Sequence, residues 1–142
     1  MQISPTTILV IEKHPLMRAA IVNAIMDEPD LTIAAIASEG SDTLHIVESL
    51  RPEIILFSIG NPGEDDLQAL LELRKHSLNA ALLALTTNEV PGQDKAALEH
   101  GADAVLAKTA PRAELLDALR AMKARVEHKV EIPSVSQRRD AG

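Results

Sequence analysis

The residues of this chain that could do chemistry stand directly behind its short apolar runs. Glu12, Lys13 and His14 follow Ile8-Leu9-Val10-Ile11, and Ser58 follows Ile54-Ile55-Leu56-Phe57. Thr86 and Thr87 follow the run from Ala81 to Leu85, and Lys108 follows Ala104-Val105-Leu106-Ala107. Lysines beside hydroxyls suit the holding of an anion. They do not make a catalytic centre, because no nucleophile, base and oxyanion donor fall at compatible positions. A serine hydroxyl such as that of Ser58 is a poor nucleophile without a dedicated base. No Gly-rich phosphate loop follows the first run, and no second histidine lies at metal-ligand spacing from His14. The chain has no cysteine for a thiol nucleophile or a zinc-thiolate site. His14 reads as a turn residue, Thr86 as a local hydrogen-bonding group, and Asp65 and Asp66 as solvated loop acids.

These residues work together only if the runs converge, and the pattern between the runs says how they do. Ile8 to Ile11 and Ile54 to Phe57 are continuous, rich in β-branched residues and too short for helices, as strands buried on both faces read. Leu31 to Ala37, Ala81 to Leu85 and Ala104 to Ala107 complete five strands. Helical periods fill the intervals. Met17, Ala20, Ile21, Ala24 and Ile25 follow Pro15, and Leu44 and Val47 follow a candidate cap at Ser41 and end at Arg51-Pro52. Leu67, Leu70, Leu71 and Arg74 mark a third helix, with Leu73 widening its buried stripe, and an Ala-rich stretch from about Gln93 to His100 is closed by Gly101. Leu115, Leu119, Met122 and Val126 stripe a last helix that begins near Pro111.

Strand and helix alternating through short loops predict an α/β fold, a parallel doubly wound sheet covered on both faces. In such sheets the working site lies beyond the carboxyl ends of the strands, which is where the candidate residues fall. From Glu131 onward Pro133, two serines and Arg138-Arg139 show no helical period. Residues 1–127 therefore read as the domain and 128–142 as a tail or interdomain linker.

Composition narrows the classes. With 142 residues and 46% hydrophobic content the chain has the material for one folded domain. A formal charge of −7 with one Phe and no Trp or Tyr supplies neither the basic face nor the stacking platform of a nucleic-acid binder. No apolar run approaches the roughly 18 residues of a membrane span, and Met1-Gln2-Ile3-Ser4-Pro5 lacks a signal-peptide layout. A cytoplasmic setting is the expectation.

Four segments, in order and at the right spacing, resemble the receiver domain of two-component response regulators, of the kind joined to a C-terminal helix-turn-helix. Ile8 to Arg18 resembles its opening, with Glu12-Lys13-His14-Pro15 where the family usually has Asp-Asp-His-Pro. Pro52 to Gly63 aligns on its phosphoacceptor segment, Leu83-Ala84-Leu85-Thr86-Thr87 on its hydroxyl-bearing fourth strand, and Gly101 to Lys108 on its Gly-Ala…Leu-x-Lys segment. The resemblance implies a flavodoxin-like (βα)5 fold with strand order 2-1-3-4-5.

It also implies a chemistry that this chain lacks the residues for. A receiver takes a phosphoryl group from phosphohistidine onto an aspartate beside acid-held Mg²⁺. Here the phosphoacceptor-equivalent position is Ser58, and the acid pocket is degenerate at Glu12 and Lys13. Thr86 and Lys108 keep the phosphate-contact positions, and Val105 stands where the family carries its switch aromatic. Counted over Glu12, Lys13, Ser58 and Lys108, the pocket is formally about +1 where the family's is about −2. A salt bridge from Lys13 or Lys108 to Glu12 is the expected replacement for metal charge.

The resemblance therefore implies a pseudo-receiver: no enzyme, no catalytic residue, no metal or other cofactor, and no Mg-dependent aspartyl phosphorylation. Its role would be signal transduction and transcription regulation by protein contact. The expected contacts are dimerisation or a protein partner through the last two helices, with a histidine kinase or a C-terminal DNA-binding domain as further partners. No direct contact with nucleic acid or membrane is expected. The alternatives are anion or small-molecule sensing through the altered acid pocket, or a phosphorelay receiver phosphorylated on unorthodox residues.

Overall fold

The computed structural model describes residues 4–38, 43–77 and 79–139, with side chains described as far as Val126. Strands β1 (Thr6–Ile11), β2 (Leu31–Ala37), β3 (Ile54–Ser58), β4 (Ala81–Thr86) and β5 (Ala104–Ala107) alternate with helices α1 (Pro15–Ile25), α2 (Thr43–Leu50), α3 (Glu64–His76), α4 (Gln93–Glu99) and α5 (Arg112–Arg139). The strands form one sheet in the order β2-β1-β3-β4-β5, and every pairing is parallel. This is the doubly wound arrangement that the alternation predicts. The candidate cap Ser41 lies outside the described residues.

The two-residue period of the central strands divides the core. Ile8, Val10, Ile54, Leu56, Leu83 and Leu85 pack with Ile21 and Ile25 of α1 and with Leu115, Leu119 and Met122 of α5. On the opposite face Leu9, Ile11, Ile55, Phe57, Leu82 and Ala84 meet Val47 of α2, Leu70 and Leu73 of α3 and Ala97 of α4. Strands β1, β3 and β4 are covered on both sides, which is why Ile8 to Ile11, Ile54 to Phe57 and Ala81 to Leu85 are apolar without interruption. Edge strand β2 instead alternates buried with exposed positions. No helix among the described residues is long and apolar enough to cross a membrane.

Arginines fasten the periphery. Arg120 of α5 donates to Glu28 at 2.6 Å and to Asp30 at 2.8 and 2.9 Å, and Arg112 donates to Glu28 at 2.7 Å. Arg120 holds the Asp30 carboxyl down at about 2, below its ordinary 3.8. Arg74 donates to the carbonyls of Gly101 and Ala80 and to Asp103, tying α3 to the turn before β5. Residues from Glu131 to Arg139 continue α5 although their sequence shows no helical period. A nucleated helix propagates at one hydrogen bond per added residue. The Ala, Glu, Lys and Arg content from Arg120 to Glu131 favours that propagation up to Pro133.

Candidate functional site

Parallel pairing brings the ends of β1, β3, β4 and β5 to one edge of the sheet in close register. Ile11 pairs with Phe57, Ser58 with Leu85, and Thr86 with Ala107, so Glu12, Ser58, Thr86 and Lys108 form a row across four strands. Backbone bonds continue beyond the strands and hold the row: Glu12 N–H donates to the Ala37 carbonyl, Ile59 N–H to Leu85, and Lys108 N–H to Thr86, at 2.8 to 2.9 Å. Glu12, Lys13, Ser58, Asn61, Asp66 and Lys108 are among the residues that line a cleft of about 290 Å³ there. Thr86 and Thr87 line an adjoining depression with Gln93 and Asp94, and Lys108 borders both.

Each polar side chain in the row has a definite environment. Glu12 is buried; its Oε2 accepts from the His14 N–H at 3.0 Å, and its Oε1 has no partner among the described residues. Ser58 is buried with its Oγ likewise unpartnered. Among the described residues Lys108 forms no ion pair or side-chain hydrogen bond. His14 caps α1 without a side-chain bond, just before Pro15 at the first helical position. Thr86 is buried and its hydroxyl donates to Asp94 of α4, the local bond its position suggested. Val105 packs partly buried against the α2–α4 side of the core.

Two sequence expectations fail here. Lys13 pairs with Asp66 at 3.0 Å and not with Glu12, and Lys108 does not bridge to Glu12 either. Asp66 is not a solvated loop acid. It is buried in the first turn of α3, where its Oδ2 also accepts from the Gly60 N–H at 2.7 Å. The reason is the start of α3 at Glu64, directly after Gly63 in the left-handed region at φ +90. A Cβ on Gly63 would meet the Gly60 carbonyl oxygen at 2.7 Å, so only glycine allows the tight turn that swings Asp66 over the strand end. Asp65 is exposed.

This placement also changes the charge of the site. Four carboxylates, Glu12, Glu64, Asp65 and Asp66, line the cleft against two lysines, formally −2 in place of the +1 counted over four positions. The acids are spread from floor to rim, and among the described residues no three acidic, histidine or cysteine groups converge on a metal-sized point.

Gln93 and Asp94 are the site residues that sequence reasoning missed. Gln93 is buried; its Nε2 donates to the Gly60 carbonyl and its Oε1 accepts from the Thr87 N–H, both at 2.9 Å. The available signal was Pro91-Gly92 before a short Ala-rich helix, which places polar residues in a first turn facing the strand ends.

Comparison with known proteins agrees with this geometry. The family model described as the response regulator receiver domain matches residues 8–120. The nitrate/nitrite response regulator protein NarL of Escherichia coli K12 is 35% identical over 115 residues, covering 81% of this chain and 53% of NarL. This chain therefore spans about half the length of that relative. A DNA-binding response regulator of the LuxR family from Staphylococcus aureus has a solved structure that superposes at TM-score 0.72 with 28% identity, covering 82% of this chain and 98% of that one. A two-component response regulator of the LuxR family from Aurantimonas sp. SI85-9A1, at 24% identity and TM-score 0.74, covers 85% of this chain and 86% of that one and shares the fold.

Proposed function

We propose that this chain, which belongs to the response regulator receiver domain family, serves two-component signalling as a protein-contact module whose state is not set by magnesium-dependent aspartyl phosphorylation. The observation that carries this reading is the Ser58 hydroxyl, buried at the end of β3 on the cleft floor with the Lys13–Asp66 ion pair beside it. Phosphoryl transfer from phosphohistidine needs a carboxylate acceptor in line, and a hydroxyl cannot form an acyl phosphate.

The donor set also argues against a resident magnesium ion, which demands near-octahedral oxygen ligation. Among the described residues only Glu12 offers an unengaged carboxylate oxygen on the floor, because Asp66 is taken by Lys13 and the Gly60 amide. Anion sensing is the poorer second reading, since Lys13 is already neutralised by Asp66 and the rim acids Glu64 and Asp65 repel an anion.

In this reading the output is contact through α4 and α5, by self-association or with a partner protein. Leu98 of α4, 47% exposed, is an apolar residue available to such contact. On this reading the chain is the cytoplasmic regulatory part of a transcription regulator, with DNA contact left to another domain and kinase recognition to this one; its likeness to NarL and to LuxR-family regulators supports that reading. Titration calorimetry with MgCl₂ tests the reading. The protein shows no saturable binding, and Lys13→Asp/Ser58→Asp, which restores three floor carboxylates, shows it. Saturable binding by the unaltered protein overturns the proposal, whether or not the double variant folds.

A further inference from the structure

Three side chains, Lys13, Asp66 and Gln93, and the backbone of Gly60 make an unbroken polar path from the cleft to α4. The Lys13 ammonium lies 3.0 Å from Asp66 Oδ1, and Asp66 Oδ2 accepts the Gly60 N–H at 2.7 Å. From the other side Gln93 Nε2 donates to the Gly60 carbonyl at 2.9 Å. Gln93 Oε1 accepts from Thr87 N–H at 2.9 Å, and the next residue, Asp94, takes the Thr86 hydroxyl. Gly60 is thus gripped at both its amide and its carbonyl. The loop fits closely against these groups: a Cβ on Gly60 would sit 3.1 Å from Asp66 Oδ2, and one on Gly63 would sit 3.0 Å from Gln93 Nε2. Asp66 and Gln93 are both buried, whereas the Lys13 side chain is 47% exposed.

We infer that Lys13 is a positioning residue for α4, acting through Asp66, Gly60 and Gln93. The inference rests on the reading that Lys13, and not a metal ion, sets the charge beside Ser58. Its physical basis is the shortness and directionality of the chain. Asp66 is a charge-assisted acceptor whose aim depends on Lys13, and Gln93 has its amide divided between two backbone groups. If Asp66 relaxes, Gly60 gains freedom, and the seven-residue α4 loses one of the few side-chain anchors that hold its first turn. Coupling of this kind counts only when a perturbation at one end is read at the other.

Peptide-resolved hydrogen exchange on the full chain reads it directly. Lys13→Gln raises exchange in residues 59–66 and also in 93–99, each by about three- to fivefold, the scale of a half-exposed ion pair. Lys13→Arg, which keeps the charge, returns both segments to the original rates. In a Gln93→Ala background, Lys13→Gln accelerates residues 59–66 alone. Exchange confined to 59–66 in the single variant, a uniform rise that includes β1 and β3, or no change overturns the inference. None of these results bears on magnesium binding, so the inference and the reading beneath it fail separately.

Discussion

Glu12 Oε1 and Ser58 Oγ share an uncommon condition: both are buried side-chain oxygens without a partner among the described residues, and both residues line one cleft. A buried hydroxyl that makes no bond costs stability, whereas a small apolar group of similar shape does not. Ser58→Ala is therefore expected to be neutral or stabilising, by about 0 to 1 kcal/mol in urea unfolding. A loss above about 1 kcal/mol would mean that Ser58 has a strong partner. The candidate residues themselves were legible, because Glu12, Ser58, Thr86 and Lys108 each follow an apolar run and parallel strands align such ends. Their partners were not. Lys13 is adjacent to Glu12 in sequence, yet its ammonium reaches Asp66, 53 positions further along. That choice depends on Gly63 turning the chain at positive φ, which hydrophobic periodicity does not encode.

Whole elements were easier to read. Strands β1, β3 and β4 appear as uninterrupted apolar runs because both of their faces are covered, and α1 and α5 show clear stripes because one face of each is covered. The arginine ties of α5 left no such trace, since ion-pair partners some 90 positions apart follow no period. They bear on pH. Asp30 has its carboxyl lowered to about 2 by Arg120, and Glu28 is lowered by Arg120 and then Arg112. A depressed carboxyl contributes stability that is complete above its ordinary value of 3.8 and is lost as pH falls through about 2. The pair is substantially exposed, so the contribution is screened and modest. Arg120→Ala is expected to melt below the unaltered protein at neutral pH, with the gap closing as pH is lowered from about 4 to about 2. A gap independent of pH would show that Arg120 acts through packing alone.

On the scale of the molecule, Val126 is the last buried residue of α5 whose side chain is described. The helix itself continues to Arg139. If residues 1–127 are the domain, as the sequence suggests, truncation after residue 127 is expected to shift the Tm by no more than about 3 °C. A much larger loss would place part of the domain beyond that point. The fold and family were legible because four separate segments agree in order and spacing. The local departures were legible as residue types at those positions, Lys13 and Ser58 above all. What they imply for signalling comes down to whether any carboxylate here accepts a phosphoryl group. Intact-mass spectrometry after incubation with acetyl phosphate and Mg²⁺ measures that most directly. The account predicts unchanged mass, and a phosphate adduct labile to hydroxylamine would contradict it.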